Sequence, residues 1–274
     1  MKLKDNKSSS DASDPFGFIP PKKYLGQVFL TDENITNKII EACRLRNTDT
    51  VLEIGPGPGN LTRILASYVQ EVIAIEKDKR FYEELKTRLE GSNVRIILAD
   101  FLKWDISQLP KNLIVVGNLP YYISSPIMGK ILEYRKHFKS AFVTVQLEFG
   151  KRMVAKVGTR DYSALTCFIQ YYTDAKMLFK ISRTSFRPTP KVDSCFMQIS
   201  IHEKPLYPAF DEPQLFNIIH HAFQQRRKTL PNAFRAVIDK DKLSCILDTL
   251  KIDPKLRPED LSLKNFADIA NALE

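Results

Sequence analysis

The sequence predicts a doubly wound α/β domain with a mostly parallel sheet, followed by a small helical module. From Thr50 onward, short apolar runs alternate with segments of helical periodicity, which is the pattern of βαβ units. A stretch with three prolines, residues 204–213, separates this region from one that has helical periodicity only. At 274 residues, the chain is long enough for one large and one small domain.

The predicted elements follow one another in the order that repeated βαβ units require. An amphipathic helix over residues 32–43 comes first, placed to cover the ligand end of the sheet. Runs rich in Val, Ile and Leu predict strands at 51–54, 71–76, 94–98, 113–116 and 141–147, with helices at 60–69 and 79–89. The runs 175–181 and 194–201 predict an antiparallel hairpin at one edge of the sheet. Helices at 214–230, 231–239, 243–250 and 265–273 make up the C-terminal module.

Several classes of protein are excluded by composition. No apolar run approaches the ~18 residues of a membrane span, and the polar, Ser-rich first 14 residues do not resemble a secretory signal. We expect this segment to be a disordered lead-in. The four cysteines and four histidines lack the spacing of a zinc site, so we expect no metal and a reducing, cytoplasmic location.

The charge of the chain is uneven. The net charge is +9, but the residues from Pro205 onward hold ten basic and ten acidic side chains, so the whole excess lies in residues 1–204. This asymmetry predicts a polyanion-binding surface on the larger domain. The alternative is that the basic residues lie on solvent-exposed helix faces that bind nothing. The clustered basic residues are Lys130, Arg135, Lys136, Lys139, Lys151, Arg152, Lys156, Arg160, Lys176, Lys180, Arg183, Arg187 and Lys191.

A glycine-rich turn follows the first strand of the predicted sheet. Gly55 and Gly57 lie in a G-x-G-x-G turn after Glu53, a spacing that differs from the phosphate-binding G-x-G-x-x-G. Glu76 ends the next strand, 21 residues beyond Gly55, where a carboxylate can accept both hydroxyls of a ribose. Asp100 follows the third strand and is placed to accept from an adenine amino group. Carboxylates after three successive strands indicate a nucleoside cofactor without a pyrophosphate, and S-adenosylmethionine fits that description.

A second motif ends the fourth predicted strand, where Asn118, Leu119, Pro120 and Tyr121 follow a buried apolar run. An amide oxygen and a backbone carbonyl can accept two hydrogen bonds from an exocyclic amine, and a tyrosine ring can stack on a base. Proline stiffens the turn, and we expect its carbonyl to be free to serve as the second acceptor. The motif therefore predicts modification of an amine on a flat base, with an ordinary turn as the alternative.

Five blocks of the chain resemble the KsgA-type rRNA adenine N6-dimethyltransferases. They are residues 23–30, 53–57, 117–121, 186–194 and 225–230, with the sequences KYLGQVFL, EIGPG, GNLPY, FRPTPKVDS and QRRKTL. The resemblance runs from about Lys22 to the C-terminus. It implies a Rossmann-like, seven-stranded class I S-adenosylmethionine methyltransferase domain at 22–204, an all-helical domain at 205–274 and a lead-in at 1–21.

The resemblance also implies roles for individual residues. The cofactor set is Gln27, Val28, Leu30, Gly55, Gly57, Glu76, Lys77, Asp100, Phe101 and Asn118. The catalytic set is Asn118, Leu119, Pro120, Tyr121 and Phe186, in which Phe186 closes the side of the target base opposite Tyr121. One position departs from the family, which usually has Asn or His where this chain has Val28. A valine side chain forms no hydrogen bond, so only its backbone can serve.

The function implied is S-adenosylmethionine-dependent dimethylation of the N6 amines of two adjacent adenosines near the 3′ end of small-subunit rRNA. The expected partner is the small ribosomal subunit during assembly, and a monomer without membrane or metal partners is expected. Two alternatives stay open. One is an rRNA-binding assembly factor with weak or no catalysis, and the other is a large-subunit rRNA adenine methylase. A DNA adenine methylase is disfavoured by the blocks at 23–30 and 186–194, and an NAD-dependent dehydrogenase by the spacing of the glycines.

Overall fold

A computed structural model describes residues 19–22 and 25–273, and within them nine strands form two sheets. The strands are β1 (Phe29–Leu30), β2 (Thr50–Ile54), β3 (Glu71–Glu76), β4 (Val94–Leu98), β5 (Leu113–Asn118), β6 (Phe138–Gln146), β7 (Thr173–Ile181), β8 (Phe186–Arg187) and β9 (Ser194–Ile201). The helices are α1 (Glu33–Cys43), α2 (Asn60–Ala66), α3 (Lys79–Arg88), α4 (Ser124–Glu133), α5 (Leu147–Met153), α6 (Ala164–Tyr172), α7 (Glu212–Gln224), α8 (Leu230–Ala233), α9 (Lys240–Thr249) and α10 (Leu263–Asn271).

The larger sheet has seven strands in the order β4-β3-β2-β5-β6-β9-β7. Its first five strands are parallel, whereas β9 pairs antiparallel with both β6 and β7. The predicted mostly parallel sheet and its edge hairpin are therefore confirmed. The chain adds β3 and β4 on one side of β2. After β4 it crosses to the other side of β2, where it adds β5 and β6. The strand order thus reverses between β2 and β5, which is where open α/β sheets bind ligands.

The central strands are buried on both faces, which explains their nearly continuous apolar sequences. Because side chains alternate along a strand, neighbouring residues of β2 enter different apolar clusters. Val51 packs with Ile39 of α1 and Leu65 of α2 on one face of the sheet. Leu52 packs on the other face in a larger cluster that includes Ile127 of α4. The sheet is thus a layer between two sets of helices.

The C-terminal helices α7 to α10 share this larger cluster with the sheet. Phe266 of α10 and Leu215 of α7 are completely buried in it. The hydroxyl of the buried Tyr162, just before α6, donates to the Leu261 carbonyl at 3.0 Å, and its ring lies 5.7 Å from that of Phe223. We propose that the domain boundary lies between residues 204 and 205. The apolar core continues across this boundary, because one cluster contains residues from both sides.

Several elements differ from the sequence-based expectations. The helix predicted at 214–230 ends at Gln224, and the following residues form a turn in which Lys228 N–H donates to the Gln225 carbonyl. Arg226 leaves the helical path because its guanidinium pairs with Glu259 and donates to the Thr159 carbonyl, which braces the C-terminal helices against the larger domain. The helices α4, α5 and α6 and the small β1–β8 sheet were not predicted.

The predicted lead-in, residues 1–21, falls mostly outside the described residues. Within its described end, the Pro20 carbonyl accepts a hydrogen bond from Arg80 Nη1 at 3.1 Å. None of the helices in residues 19–22 and 25–273 combines the length and the apolar character that a membrane crossing needs. The same residues contain no group of three or more His, Cys, Asp or Glu side chains arranged to hold a metal ion.

Replacing Tyr162 by phenylalanine tests how the C-terminal helices are held. Tyr162→Phe leaves the buried Leu261 carbonyl without its donor, and we expect the free energy of unfolding to fall by about 1–3 kcal/mol. Urea denaturation followed by circular dichroism measures this, with Tyr68→Phe at an exposed position as the control. A separate early transition of the C-terminal helices would contradict the shared core.

Candidate active site

A cleft opens at the carboxyl ends of β2, β3 and β5, at the point where the strand order reverses. The sequence-predicted site residues come from six separate segments of the chain, and the cleft brings five of these segments together. All of them line it except Leu30 and Phe186. The segment 25–29 passes along one wall, so this segment covers the cleft and helix α1 does not. Thr36 and Ile39 of α1 instead line a smaller adjoining pocket.

The turn after β2 brings the backbone close to the cleft. Gly55 has φ +70°, and a Cβ atom added there meets no heavy atom within 4 Å, so open space reaches its main chain. Gly57 has φ +53°, and a Cβ there lies 2.7 Å from the Phe29 ring. Both positions need glycine, because other residues rarely adopt this backbone conformation and the second also lacks space. The turn thus offers a bare backbone surface to a ligand.

Glu76 ends β3 with a buried carboxylate on the wall of the cleft. Its oxygens accept hydrogen bonds from Gly57 N–H at 3.0 Å and from Asp78 N–H at 2.7 Å. Burial raises the pKa of this carboxyl above its ordinary value, although the backbone donors oppose the rise. Lys77 N–H is a further backbone donor to this carboxylate, and the lone pairs that remain can accept from a ligand hydroxyl. The backbone bonds therefore fix the carboxylate without using its full capacity as an acceptor.

Asp100 follows β4 and already has protein partners on both oxygens. Oδ1 accepts from Leu102 N–H at 3.0 Å, and Oδ2 forms an ion pair with Lys77 Nζ at 2.9 Å. Burial alone would raise the pKa of this carboxyl, but the Lys77 ammonium and the Leu102 amide lower it below its ordinary value. An adenine amino group that donates to Asp100 therefore has to share an oxygen with one of these donors.

A smaller pocket adjoins the cleft and shares Phe29, Gly55 and Asn118 with it. Leu30 lines this pocket and not the main cleft. Glu53 lies at its base, 2% exposed, and its Oε2 accepts no hydrogen bond from a described residue. Burial raises the pKa of Glu53 to about 8; the nearby Thr62 hydroxyl opposes the rise, and the Glu76 carboxylate adds to it. The buried Thr62 hydroxyl also has no other partner within the described residues and is near enough to lower the pKa of Glu53, so it is the group that can satisfy this oxygen.

Asp78 holds the segment that covers the cleft, a role that the sequence analysis missed. Its buried carboxylate accepts from Gln27 Nε2 at 3.1 Å, pairs with Lys22 Nζ at 3.3 Å and pairs with Arg80 Nη2 at 2.7 Å. The Arg80 guanidinium, with Gln27 and Lys22, holds the pKa of this carboxyl well below its usual range. The available signal was an acidic residue two positions after Glu76. Gln27 therefore lines the cleft with its amide tied to Asp78.

Asn118 is the last residue of β5 and faces both pockets. Its amide nitrogen donates to the Val28 carbonyl at 2.7 Å. Val28 thus takes part through its backbone, and this contact does not depend on its side chain. The bond orients the Asn118 amide, because the nitrogen end is held by Val28 and the oxygen end is left as an acceptor.

The turn after Asn118 corrects one expectation about its carbonyl groups. The Pro120 carbonyl is not free, since it accepts from Ile123 N–H at 3.1 Å and from the Ser124 hydroxyl at 3.2 Å. The Leu119 carbonyl instead accepts no hydrogen bond from the described residues, while Leu119 N–H is held by the Thr144 carbonyl. Leu119 lines the cleft. Within the described residues, the Leu119 carbonyl and not the Pro120 carbonyl is therefore available to accept a hydrogen bond.

The two predicted aromatic partners of a target base occupy different environments. Tyr121 lines the cleft, and its hydroxyl lies 2.7 Å from the Ser194 hydroxyl. Phe186 is completely buried and packs with Phe196 and Ile181 in the smaller apolar cluster. It pairs with Leu30 in the β1–β8 sheet. The expectation that Phe186 closes the base site does not hold for this structure, because its ring faces the core.

These features fit a nucleoside cofactor such as S-adenosylmethionine. Open space reaches the Gly55 backbone, and two backbone hydrogen bonds hold the Glu76 carboxylate on the wall of the cleft. The wall also contains apolar Phe101 for a flat ring. No cluster of cationic side chains that would bind a pyrophosphate lines either pocket within the described residues.

Comparison with known proteins identifies relatives over nearly the whole chain. The sequence model of the family described as "Ribosomal RNA adenine dimethylase" matches residues 21–274. A protein of Moorella thermoacetica named "Ribosomal RNA small subunit methyltransferase A" is 39% identical over 267 residues, which cover 93% of each chain. A protein of the same name from Shouchella clausii is 42% identical over 264 residues, covering 92% of this chain and 89% of its own.

Solved structures of similar proteins confirm the class I methyltransferase fold. A dimethyladenosine transferase from Plasmodium falciparum superposes with a TM-score of 0.78 at 30% identity, covering 88% of this chain and 95% of its own. The 23S rRNA methyltransferase ErmE superposes with a TM-score of 0.70 at 27% identity, covering 89% and 99%. The small-subunit relatives are thus more similar in sequence than this large-subunit enzyme.

The buried carboxyl of Glu53 predicts a pH dependence of stability. Because its pKa is about 8 in the folded chain and about 4.5 ordinarily, the folded state binds the extra proton between these values. The free energy of unfolding therefore falls as the pH rises from about 5 to 8, and Glu53→Gln should remove this part of the decline. Thermal unfolding across that range measures it, with Glu71→Gln at an exposed ion pair as the control. Equal pH profiles for wild type and Glu53→Gln would contradict the assignment.

Proposed function

Because this chain belongs to the ribosomal RNA adenine dimethylase family, we propose that its cleft performs the family's reaction with the residues described above. The protein is an S-adenosylmethionine-dependent rRNA adenine dimethyltransferase that acts on small-subunit rRNA. The observation that carries the assignment of the site is the Asn118 amide, which lines the cleft and whose nitrogen donates to the Val28 carbonyl, so that its oxygen is left as the acceptor.

We propose that the cofactor is held by residues from four strand ends. Glu76 would accept the ribose hydroxyls, Asp100 the adenine amino group, and the Gly55 backbone would lie against the rest of the molecule. The adjoining pocket supports an extension of the cofactor site past Gly55, because it shares Gly55 and Asn118 with the cleft. In that arrangement Leu30, which lines the same pocket, keeps its predicted cofactor role. When bound, S-adenosylmethionine supplies an electrophilic methyl group.

The target adenine would be held at the turn after β5. Its N6 amine donates one hydrogen bond to Asn118 Oδ1 and one to the Leu119 carbonyl, while the Tyr121 ring stacks on the base. Asn118 needs no rearrangement for this, since its nitrogen end is already committed to Val28. Pro120 keeps the turn rigid, and its own carbonyl stabilises the start of α4.

The residues of this turn can activate a weak nucleophile. The lone pair of an adenine amine is delocalised into the ring, and two acceptors on its hydrogens favour its concentration on nitrogen. A nitrogen–carbon bond forms as the donor's sulfur–carbon bond breaks, and the nitrogen then loses a proton to solvent. No strong base is required, so catalysis consists of positioning and electrostatic stabilisation. A second transfer requires that the same acceptors hold an amine with one remaining hydrogen.

The basic residues predicted to bind RNA divide into two groups in the structure. Six of them are engaged within the protein, including Arg183, which donates to the Lys191 carbonyl at 3.4 Å, and Arg187, which donates to the Thr189 hydroxyl at 3.2 Å. Lys130 donates to the Leu102 carbonyl, Lys139 pairs with Asp49, Lys176 pairs with Asp174, and the Arg135 guanidinium lies 4.3 Å from the centre of the Tyr172 ring. The predicted basic surface is therefore smaller than the sequence indicated.

We propose that RNA contacts a groove lined by Lys151, Arg183 and Lys191. The groove also contains three acidic residues, Glu148, Asp161 and Asp193, which balance the three basic ones. The proposal that RNA binds here therefore rests on the position of the groove and not on its net charge. Asp193 lines the groove, and the next residue, Ser194, bonds to Tyr121 in the cleft. A strand that follows the groove would thus arrive at the base site. The small subunit during assembly as substrate, a monomeric state and a cytoplasmic location remain predictions.

Methyl transfer to isolated ribosomal particles tests the function and the role of Asn118. Wild-type protein should dimethylate unmethylated small subunits at two adjacent adenosines and leave large-subunit RNA unmodified. Asn118→Ala should lower the transfer rate at saturating cofactor by about 10²–10³-fold with little loss of RNA affinity. Asn93→Ala, which removes a side-chain amide at the opposite end of the sheet, is the control. Wild-type turnover by Asn118→Ala, or modification of large-subunit RNA, would refute the proposal.

The salt dependence of RNA binding tests the groove. In Lys151→Ala/Lys191→Ala, the slope of log affinity against log salt should fall by about two, because each lost phosphate contact removes about one unit. Filter binding of small-subunit RNA measures the slope. Lys251→Ala/Lys255→Ala, in the loop that follows α9, serves as the charge-matched control and should bind as wild type. An unchanged slope in the groove variant would exclude the groove as the RNA path.

A further inference from the structure

Among the residues that the structure describes, one hydroxyl group forms a side-chain hydrogen bond to Tyr121 from outside its own turn. Its Oη lies 2.7 Å from Oγ of Ser194, a residue 73 positions away along the chain. Ser194 is completely buried, whereas the Tyr121 ring lines the cleft. This contact therefore connects the interior of the sheet to the surface on which the target base is proposed to stack.

The two ends of this contact differ in rigidity. Ser194 begins β9, and its backbone pairs with Gln146 of β6 on one side and Ile181 of β7 on the other. Tyr121 begins a single 3₁₀ turn, Tyr121–Ile123, in which the backbone hydrogen-bond geometry is poorer than in an α-helix. A ring on such a turn can rotate about its side-chain torsions unless something fixes it. Ser194 is thus held rigidly by the sheet, and its hydrogen bond restrains the Tyr121 ring.

The chemistry of the pair suits a permanent tether. Burial raises the pKa of the Tyr121 phenol, although the Ser194 hydroxyl opposes the rise, so the phenol keeps its proton at neutral pH. Either hydroxyl can then donate to the other. No charge is involved, and the contact does not depend on pH near neutrality. The hydrogen bond leaves both faces of the ring free of this interaction.

We propose that Ser194 is a positioning residue that holds the Tyr121 ring in the orientation that stacks on the target adenine. Ser194 does not line the cleft and contacts the base only through Tyr121. This role rests on the proposed function, since it presumes a base at Tyr121. A correctly placed base brings its amine to Asn118 and the Leu119 carbonyl, so a loosened ring slows the transfer step.

A double-mutant cycle tests this role from both ends of the bond. Ser194→Ala and Tyr121→Phe each remove one hydroxyl, and the second keeps the ring and the shape of the cleft. Each should lower the single-turnover rate at saturating RNA and cofactor about 2–15-fold, the loss expected for one hydrogen bond. The dissociation constant of the cofactor should not change. The double variant should be no slower than the slower single variant, because both changes break the same contact.

Controls separate positioning from a general loss of stability. Ser185→Ala removes another buried hydroxyl, which donates to Asp32 Oδ2 at a distance of 3.0 Å. Neither of these two residues lines the cleft. It should lower the melting temperature and leave the transfer rate of the folded protein unchanged. If the rate losses of the two single variants multiplied in the double variant, or if Tyr121→Phe were as fast as wild type, the positioning role of Ser194 would be overturned. The proposed function would not be affected by either result. A wild-type protein that makes no dimethyladenosine would overturn the proposed function itself.

Discussion

The hydrogen bond from the Asn118 amide nitrogen to the Val28 carbonyl is the contact on which the arrangement of the site depends. An amide has a donor end and an acceptor end, and fixing one fixes the other. Because the nitrogen is held by the backbone of the covering segment, the oxygen is presented as an acceptor before any substrate arrives. The same bond attaches the covering segment to the end of β5, so the base site and the wall of the cofactor cleft are built together.

This backbone contact also accounts for the valine at position 28. The Asn or His that the resemblance leads one to expect there would bring a polar side chain, yet the bond to Asn118 uses only the main-chain carbonyl. The position of the segment is set by Asp78, whose carboxylate binds Gln27, Lys22 and Arg80 at once. A valine therefore leaves the orientation of the Asn118 amide unchanged. What the structure requires at position 28 is a correctly placed carbonyl.

The sequence predicted most of the sheet because its strands are continuous apolar runs bounded by clear turns. The strands at 71–76 and 94–98 have the predicted bounds, and the cleft gathers residues that were selected on their positions at strand ends. The end of α7 was not predictable, since Arg226 leaves the helix for a partner distant in sequence, Glu259. The inward orientation of Phe186 and the hydrogen bonds of the Pro120 carbonyl depend on tertiary packing and local turn geometry. No sequence pattern predicts either of these two features.

The most direct measurement is a crystal structure of the protein with S-adenosylhomocysteine and an RNA fragment that contains the target adenosine. The account predicts that the N6 atom lies within hydrogen-bond distance of Asn118 Oδ1 and of the Leu119 carbonyl, with the Asn118 nitrogen still bonded to Val28. An Asn118 amide turned away from the base, or an N6 atom held by the Pro120 carbonyl, would contradict it.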